Sequence, residues 1–162
     1  MNQENDFNES KLPSFLNVLT ILTIIACCVF FCFSIYGFAT AKSSYEKTKE
    51  LIESGKVNEL PAFARSMVNE KTLAMQKRRV ENNLPIFLLD VVGLALCLVG
   101  ALQMRKRKKQ GYVLWLAGEL LPFISTSIFL GVGAFSGVGM VACVIAIAFI
   151  IMYTVNRKYL VY

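Results

Sequence analysis

Read for where charge is missing, the chain falls into three oily tracts separated by two charged ones. Leu12 to Ala41 carries no charge, Leu84 to Met104 carries only Asp90, and Gly111 to Val155 carries only Glu119. Crossing ~30 Å of hydrocarbon takes roughly 20 helical residues. The first two tracts therefore each make one span, over about 14–41 and 84–104. The third is far too long for a single crossing and must fold back. The break belongs in Gly131-Val132-Gly133-Ala134-Phe135-Ser136-Gly137-Val138-Gly139, because glycine accepts the positive φ of a tight turn and weakens a helix. Spans three and four then cover about 112–130 and 138–155. The pattern predicts an all-α, four-transmembrane-helix bundle in one membrane domain, 14–162, behind a polar tail, 1–13.

Residues 42–83 hold nine basic and six acidic side chains, a mixture that reads as a solvated helical surface. Tyr45, Thr48 and Ile52 share a helical stripe and Gly55 supplies a stop. Pro61 suits a new start, and Phe63, Met67 and Ala74 recur at helical spacing in a piece that runs through Asn82 toward the second span. A helical hairpin protruding from the membrane between spans one and two is the expectation.

Composition agrees with insertion: 56% of the 162 residues are hydrophobic, 17% are charged, and the mean hydropathy is +0.54. The net charge of +6 does not point to nucleic acid. The cations sit in loops beside apolar spans, where anionic headgroups are nearer. Arg105-Lys106-Arg107-Lys108-Lys109 is the densest cluster, and at ~2.5–3.5 kcal/mol per buried charge it must mark a membrane surface. That knot is the expected contact with anionic lipid. Orientation by Lys and Arg count is close: eight (Lys11, the knot, Arg157, Lys158) against the nine of 42–83. The charges of the knot are packed into one short connection, which favours placing it and both termini in the cytoplasm; the acidic tail (Glu4, Asp6, Glu9) argues the other way. Histidine is absent, which removes imidazole catalysis and His-ligated metal. The five cysteines, Cys27, Cys28, Cys32, Cys97 and Cys143, all lie in apolar runs and read as small apolar fillers rather than a disulfide framework or metal site. Ile24-Ile25-Ala26-Cys27 has the look of a lipoprotein processing site, but the basic leader is missing and the apolar run continues.

The candidate intramembrane polar site is Glu119, Pro122, Thr126 and Asp90. An acid within a span is a functional candidate by default. Glu119 lies roughly 12 Å deep from the knot and Asp90 about 9 Å from the opposite surface, leaving ~9 Å between their depths. Pro122 cannot donate to Gly118 and should bend span three beside the acid. Thr126, with Ser125 and Ser127 beside it, makes that side polar. With a cytoplasmic N-terminus, Thr20 and Thr23 reach the depth of Glu119. Two readings stay open: an acid that ties helices together, or one that binds a proton, a cation or a basic group. Asp90, Gly93, Cys97, Gly100 and Met104 form a small-residue packing stripe that should face the bundle. Gly133 and Gly137 have a GxxxG spacing but straddle the expected turn, and the glycine run lacks the Lys and Ser/Thr of a phosphate loop. Tyr112, Trp115, Tyr153, Tyr159 and Tyr162 are expected as an interfacial aromatic belt.

Two stretches carry a resemblance. Pro13-Ser14-Phe15-Leu16-Asn17-Val18-Leu19-Thr20-Ile21-Leu22-Thr23 and Gln103-Met104-Arg105-Lys106-Arg107-Lys108-Lys109-Gln110-Gly111-Tyr112 resemble a group of small bacterial four-span membrane proteins without an assigned role. The resemblance implies a bacterial cytoplasmic membrane and a four-helix fold, and no catalytic residues. The expected function is a non-enzymatic accessory or scaffold subunit that meets a membrane protein partner or a second copy. The alternative is a small oligomeric carrier or channel subunit, linked to protons or cations through Glu119. No nucleophile with a base, no metal-ligand set and no cofactor motif is present.

Overall fold

The computed structural model describes residues 13–161. The polar tail with Lys11 and the anchor expected at Tyr162 lie outside the described residues. Helix α1 runs Ser14–Glu53, α2 Ala62–Met67, α3 Glu70–Glu81, α4 Asn83–Arg105, α5 Lys109–Phe129 and α6 Val138–Asn156, with 3-10 turns at Lys56–Glu59, Val132–Phe135 and Arg157–Tyr159. There is no strand among the described residues. Four helices, α1, α4, α5 and α6, are long and apolar enough to cross a membrane.

Local chemistry accounts for the boundaries. Pro13 precedes α1, which continues 40 residues through the apolar tract into the polar one. It ends where Ser54 and Gly55 donate back to Glu50 and Ile52, with Gly55 at φ 69°. The single helix expected from Pro61 to Asn82 is two: it stops at Val68 and restarts because the Asn69 side chain accepts from the Thr72 N–H at 2.9 Å, a side-chain N-cap. Met67 and Ala74, read as one stripe, are both exposed. Pro85 falls in the first turn of α4, where its missing N–H costs nothing. The knot is a turn of three residues, Lys106 to Lys108, between Arg105 at the end of α4 and Lys109 at the start of α5. Arg107 takes φ 58° there. The third oily tract does turn back at its glycines: α5 ends at Phe129, and Gly131 and Gly137 have φ of 84° and 61°.

Helix α4 lies between α1 and α5, and α6 touches α1 and α5 more lightly. Helix α3 packs along α1. It also reaches the turn between α5 and α6, with Arg78 over Gly131 and Lys71 over Gly133. The buried core, with Leu16, Leu19, Cys27, Cys97, Met104, Tyr112, Trp115, Tyr153 and Leu160, sits toward the knot end of the bundle. Three residues expected as interfacial anchors are therefore core: Trp115 and Tyr153 are 1% exposed and Tyr112 is buried. Their rings lie against one another, Trp115 with its centroid 4.2 Å from that of Tyr153 and 6.3 Å from that of Tyr112. Only Tyr159 of the described set is exposed.

Candidate functional site

The seam between α4 and α5 fixes the site. A Cβ placed on Gly100 would lie 2.5 Å from the Trp115 nitrogen and 2.7 Å from the Gly111 carbonyl oxygen. One on Gly118 would lie 2.5 Å from the Gly93 oxygen and 2.7 Å from the Cys97 nitrogen. The obstacles are backbone, so the two helices touch main chain to main chain, as small residues permit in a membrane. Pro122 sits inside α5 without ending it, and the Gly118 carbonyl that its ring deprives of a donor faces Gly93, whose added Cβ would come within 3.0 Å. Of the stripe Asp90, Gly93, Cys97, Gly100 and Met104, the last four are buried and Asp90 is half-buried, and the surface that the glycines meet is Gly111, Trp115 and Gly118. That second set went unread although its spacing, i, i+4, i+7, repeats that of Gly93, Cys97 and Gly100.

On this seam Glu119 is half-buried, with the Cys97 thiol 3.9 Å from its Oε2 and 3.6 Å from the Trp115 carbonyl oxygen. Tyr153 of α6 lays its ring 4.2 Å from that of Trp115 and shares a 2.7 Å hydrogen bond with the Thr23 hydroxyl of α1. Glu119 of α5 thus touches α4 at Cys97, and Tyr153 of α6 joins α5 through Trp115 and α1 through Thr23. Thr20 is buried too but donates to its own helix, at the Asn17 carbonyl, 2.9 Å. Thr126 is half-buried, Ser127 donates to the Phe123 carbonyl at 2.8 Å, and the Ser125 hydroxyl is buried with no hydrogen-bond partner.

Asp90 is apart from this cluster. It lies near the α3 end of the bundle, where the Arg79 guanidinium acts on its carboxylate and also covers Gly37 of α1. Asn83 Nδ2 donates to the Phe38 carbonyl at 2.9 Å, and Phe38 and Phe87 bring their rings to 4.7 Å, so α1 and α4 are joined there. The two acids therefore differ in their nearest partner, the Arg79 cation acting on Asp90 and the Cys97 thiol lying beside Glu119, and neither takes part in an ion pair among the described residues. Cys28 and Cys32 face outward, and no group of three His, Cys, Asp or Glu among the described residues is arranged to hold a metal. Of the knot, Arg105, Lys106, Lys108 and Lys109 are exposed and Arg107 is half-buried.

Comparison with known protein families, curated proteins and solved structures finds no match for this chain.

Proposed function

We propose that the chain is a multi-pass protein of a bacterial cytoplasmic membrane that serves as a non-enzymatic accessory or scaffold subunit, with its knot and termini inside and its polar helices projecting outside. The observation that carries this reading is the setting of Glu119. Its carboxyl group closes against Cys97 on a seam packed backbone to backbone, which is how a tie between helices is built. The small-residue stripe of α4 is occupied by α5, so a neighbour would dock on an exposed apolar face such as the first half of α6. Met140, Val141, Val144 and Ile145 are exposed there, while Ala146, Tyr153 and Asn156, the buried positions, come later. The test is purification of the tagged protein in mild detergent with mass spectrometry. A stoichiometric membrane protein partner or a second copy is expected, and a lone monomer would sink the proposal.

The second reading, an oligomeric carrier or channel subunit, draws support from the half-buried acid Glu119 on the seam and from the unpaired Ser125 hydroxyl of the same helix. Four spans enclose little volume, so it requires several copies. Reconstituted protein whose proton or cation flux stops with Glu119→Gln would favour it over the scaffold.

A further inference from the structure

The last residues of the chain fold back across the basic knot. The Val161 N–H donates to the Arg107 carbonyl at 3.0 Å, and Arg107 Nε–H donates to the Tyr159 carbonyl at 3.3 Å. Leu160, between them, is only 3% exposed and belongs to the core. This fold-back brings Arg157 and Lys158 alongside Lys109, and the three cations line one open cleft with Thr154, Leu160 and Val161. Arg157 is set over the Tyr112 ring at 5.3 Å, and the Tyr112 hydroxyl is fixed in turn by a 2.8 Å hydrogen bond with Thr154.

None of the three cations is ion-paired with a carboxylate among the described residues. The sequence from Val91 onward holds a single acid, Glu119, which is engaged on the seam. Lys109 also opens α5, a helix of 21 residues whose first N–H groups have no partner within the helix and add positive character at the same end. Leu160 and Val161 give the same cleft its apolar lining. Three cations without a carboxylate partner among the described residues, beside aliphatic surface at a membrane boundary, fit a phosphodiester with a hydrocarbon tail better than a free ion. The geometry points to a specific headgroup site for one anionic phospholipid, built jointly by the start of α5 and the C-terminal segment. It is distinct from the diffuse attraction of Arg105, Lys106 and Lys108. The inference rests on the four-span reading of the chain and not on the scaffold role, so its failure leaves the co-purification result untouched.

The full chain in mild detergent is titrated with phosphatidylglycerol, and retained lipid is counted by native mass spectrometry against phosphatidylcholine. One phosphatidylglycerol per chain is expected. Lys109→Gln/Arg157→Gln/Lys158→Gln should weaken its retention about a hundredfold, from about fivefold per cation. Arg105→Gln/Lys106→Gln/Lys108→Gln, which removes the same charge outside the cleft, should weaken it about threefold or less, since exposed charges at a distance are screened. The exposed single change Lys158→Gln, with its expected fivefold loss, guards against a triple variant that fails to fold. Equal losses in the two triples would overturn the site in favour of general electrostatics. So would retention of phosphatidylglycerol no better than phosphatidylcholine. Inorganic phosphate, added without lipid and binding as tightly with the same dependence on the cleft triple, would overturn the lipid as the occupant.

Discussion

The α4–α5 pair and helix α6 solve the same problem by opposite means. Within the bilayer, apolar side chains gain little by leaving lipid for one another, so helices need close backbone approach or polar contacts to associate. The pair uses approach: glycines at 100, 111 and 118 leave no room for even a methyl group between the main chains, and one at 93 would press on the Gly118 carbonyl. Helix α6 uses contacts instead, chiefly the Tyr153 ring and hydroxyl and the Tyr112–Thr154 hydrogen bond, all toward the knot end. Steric fit along a whole helix makes a permanent seam, while polar contacts at one end leave the other end open to a neighbour.

This contrast can be broken most severely at Gly118. Gly118→Leu drives a side chain into the Gly93 and Cys97 backbones, which cannot yield, so the loss should reach or pass the ~3 kcal/mol upper range for overpacking. A thermal melt in detergent should show a midpoint drop on the order of 10 °C or no folded monomer. Trp115→Ala comes next, because it empties the space between α4, α5 and Tyr153; a loss of about 3 kcal/mol is expected in the same melt. Tyr153→Phe keeps the ring and deletes only the hydroxyl that meets Thr23. A cost of about 0.6 kcal/mol is expected, and a loss as large as that of Gly118→Leu would show that α6 depends on more than these contacts. Smallest of all, Val144→Trp on the open half of α6 should change stability by less than about 0.5 kcal/mol. The same variant should block capture of a partner if that half is the docking face.

Much of this was visible in the residues. Span number and turn position follow from the cost of charge in hydrocarbon and from the glycines at 131 and 137, both local properties. Glu119 and the Gly93, Cys97 and Gly100 stripe were also legible, because an acid and a run of small residues stand out in any apolar tract. What faced the stripe was not seen, since Gly111 and Gly118 gain meaning only when two antiparallel helices are aligned. Trp115 and Tyr153 were misread for a related reason. Position near a span end places an aromatic at the interface on average, but the close approach of α4 and α5 at Gly100 carries Trp115 into the seam, where its ring meets that of Tyr153. The division between Asp90 and Glu119 depended on Arg79, which is eleven residues before Asp90 and arrives through the fold of α3 onto α1. The cleft at Lys109, Arg157 and Lys158 likewise depends on a chain reversal that no local pattern encodes.

Helix α1 has one further consequence. Its 40 residues make a rod about 60 Å long, about twice the thickness of the hydrocarbon layer, and the helical hydrogen bonding continues unbroken where the apolar sequence gives way to the polar one. Grip applied to the outer third, from Lys42 to Glu53, will therefore arrive at Thr23 as a tilt of the entire shaft and load the hydroxyl bridge to Tyr153. Held part-way along by a bilayer, such a shaft would work as a lever.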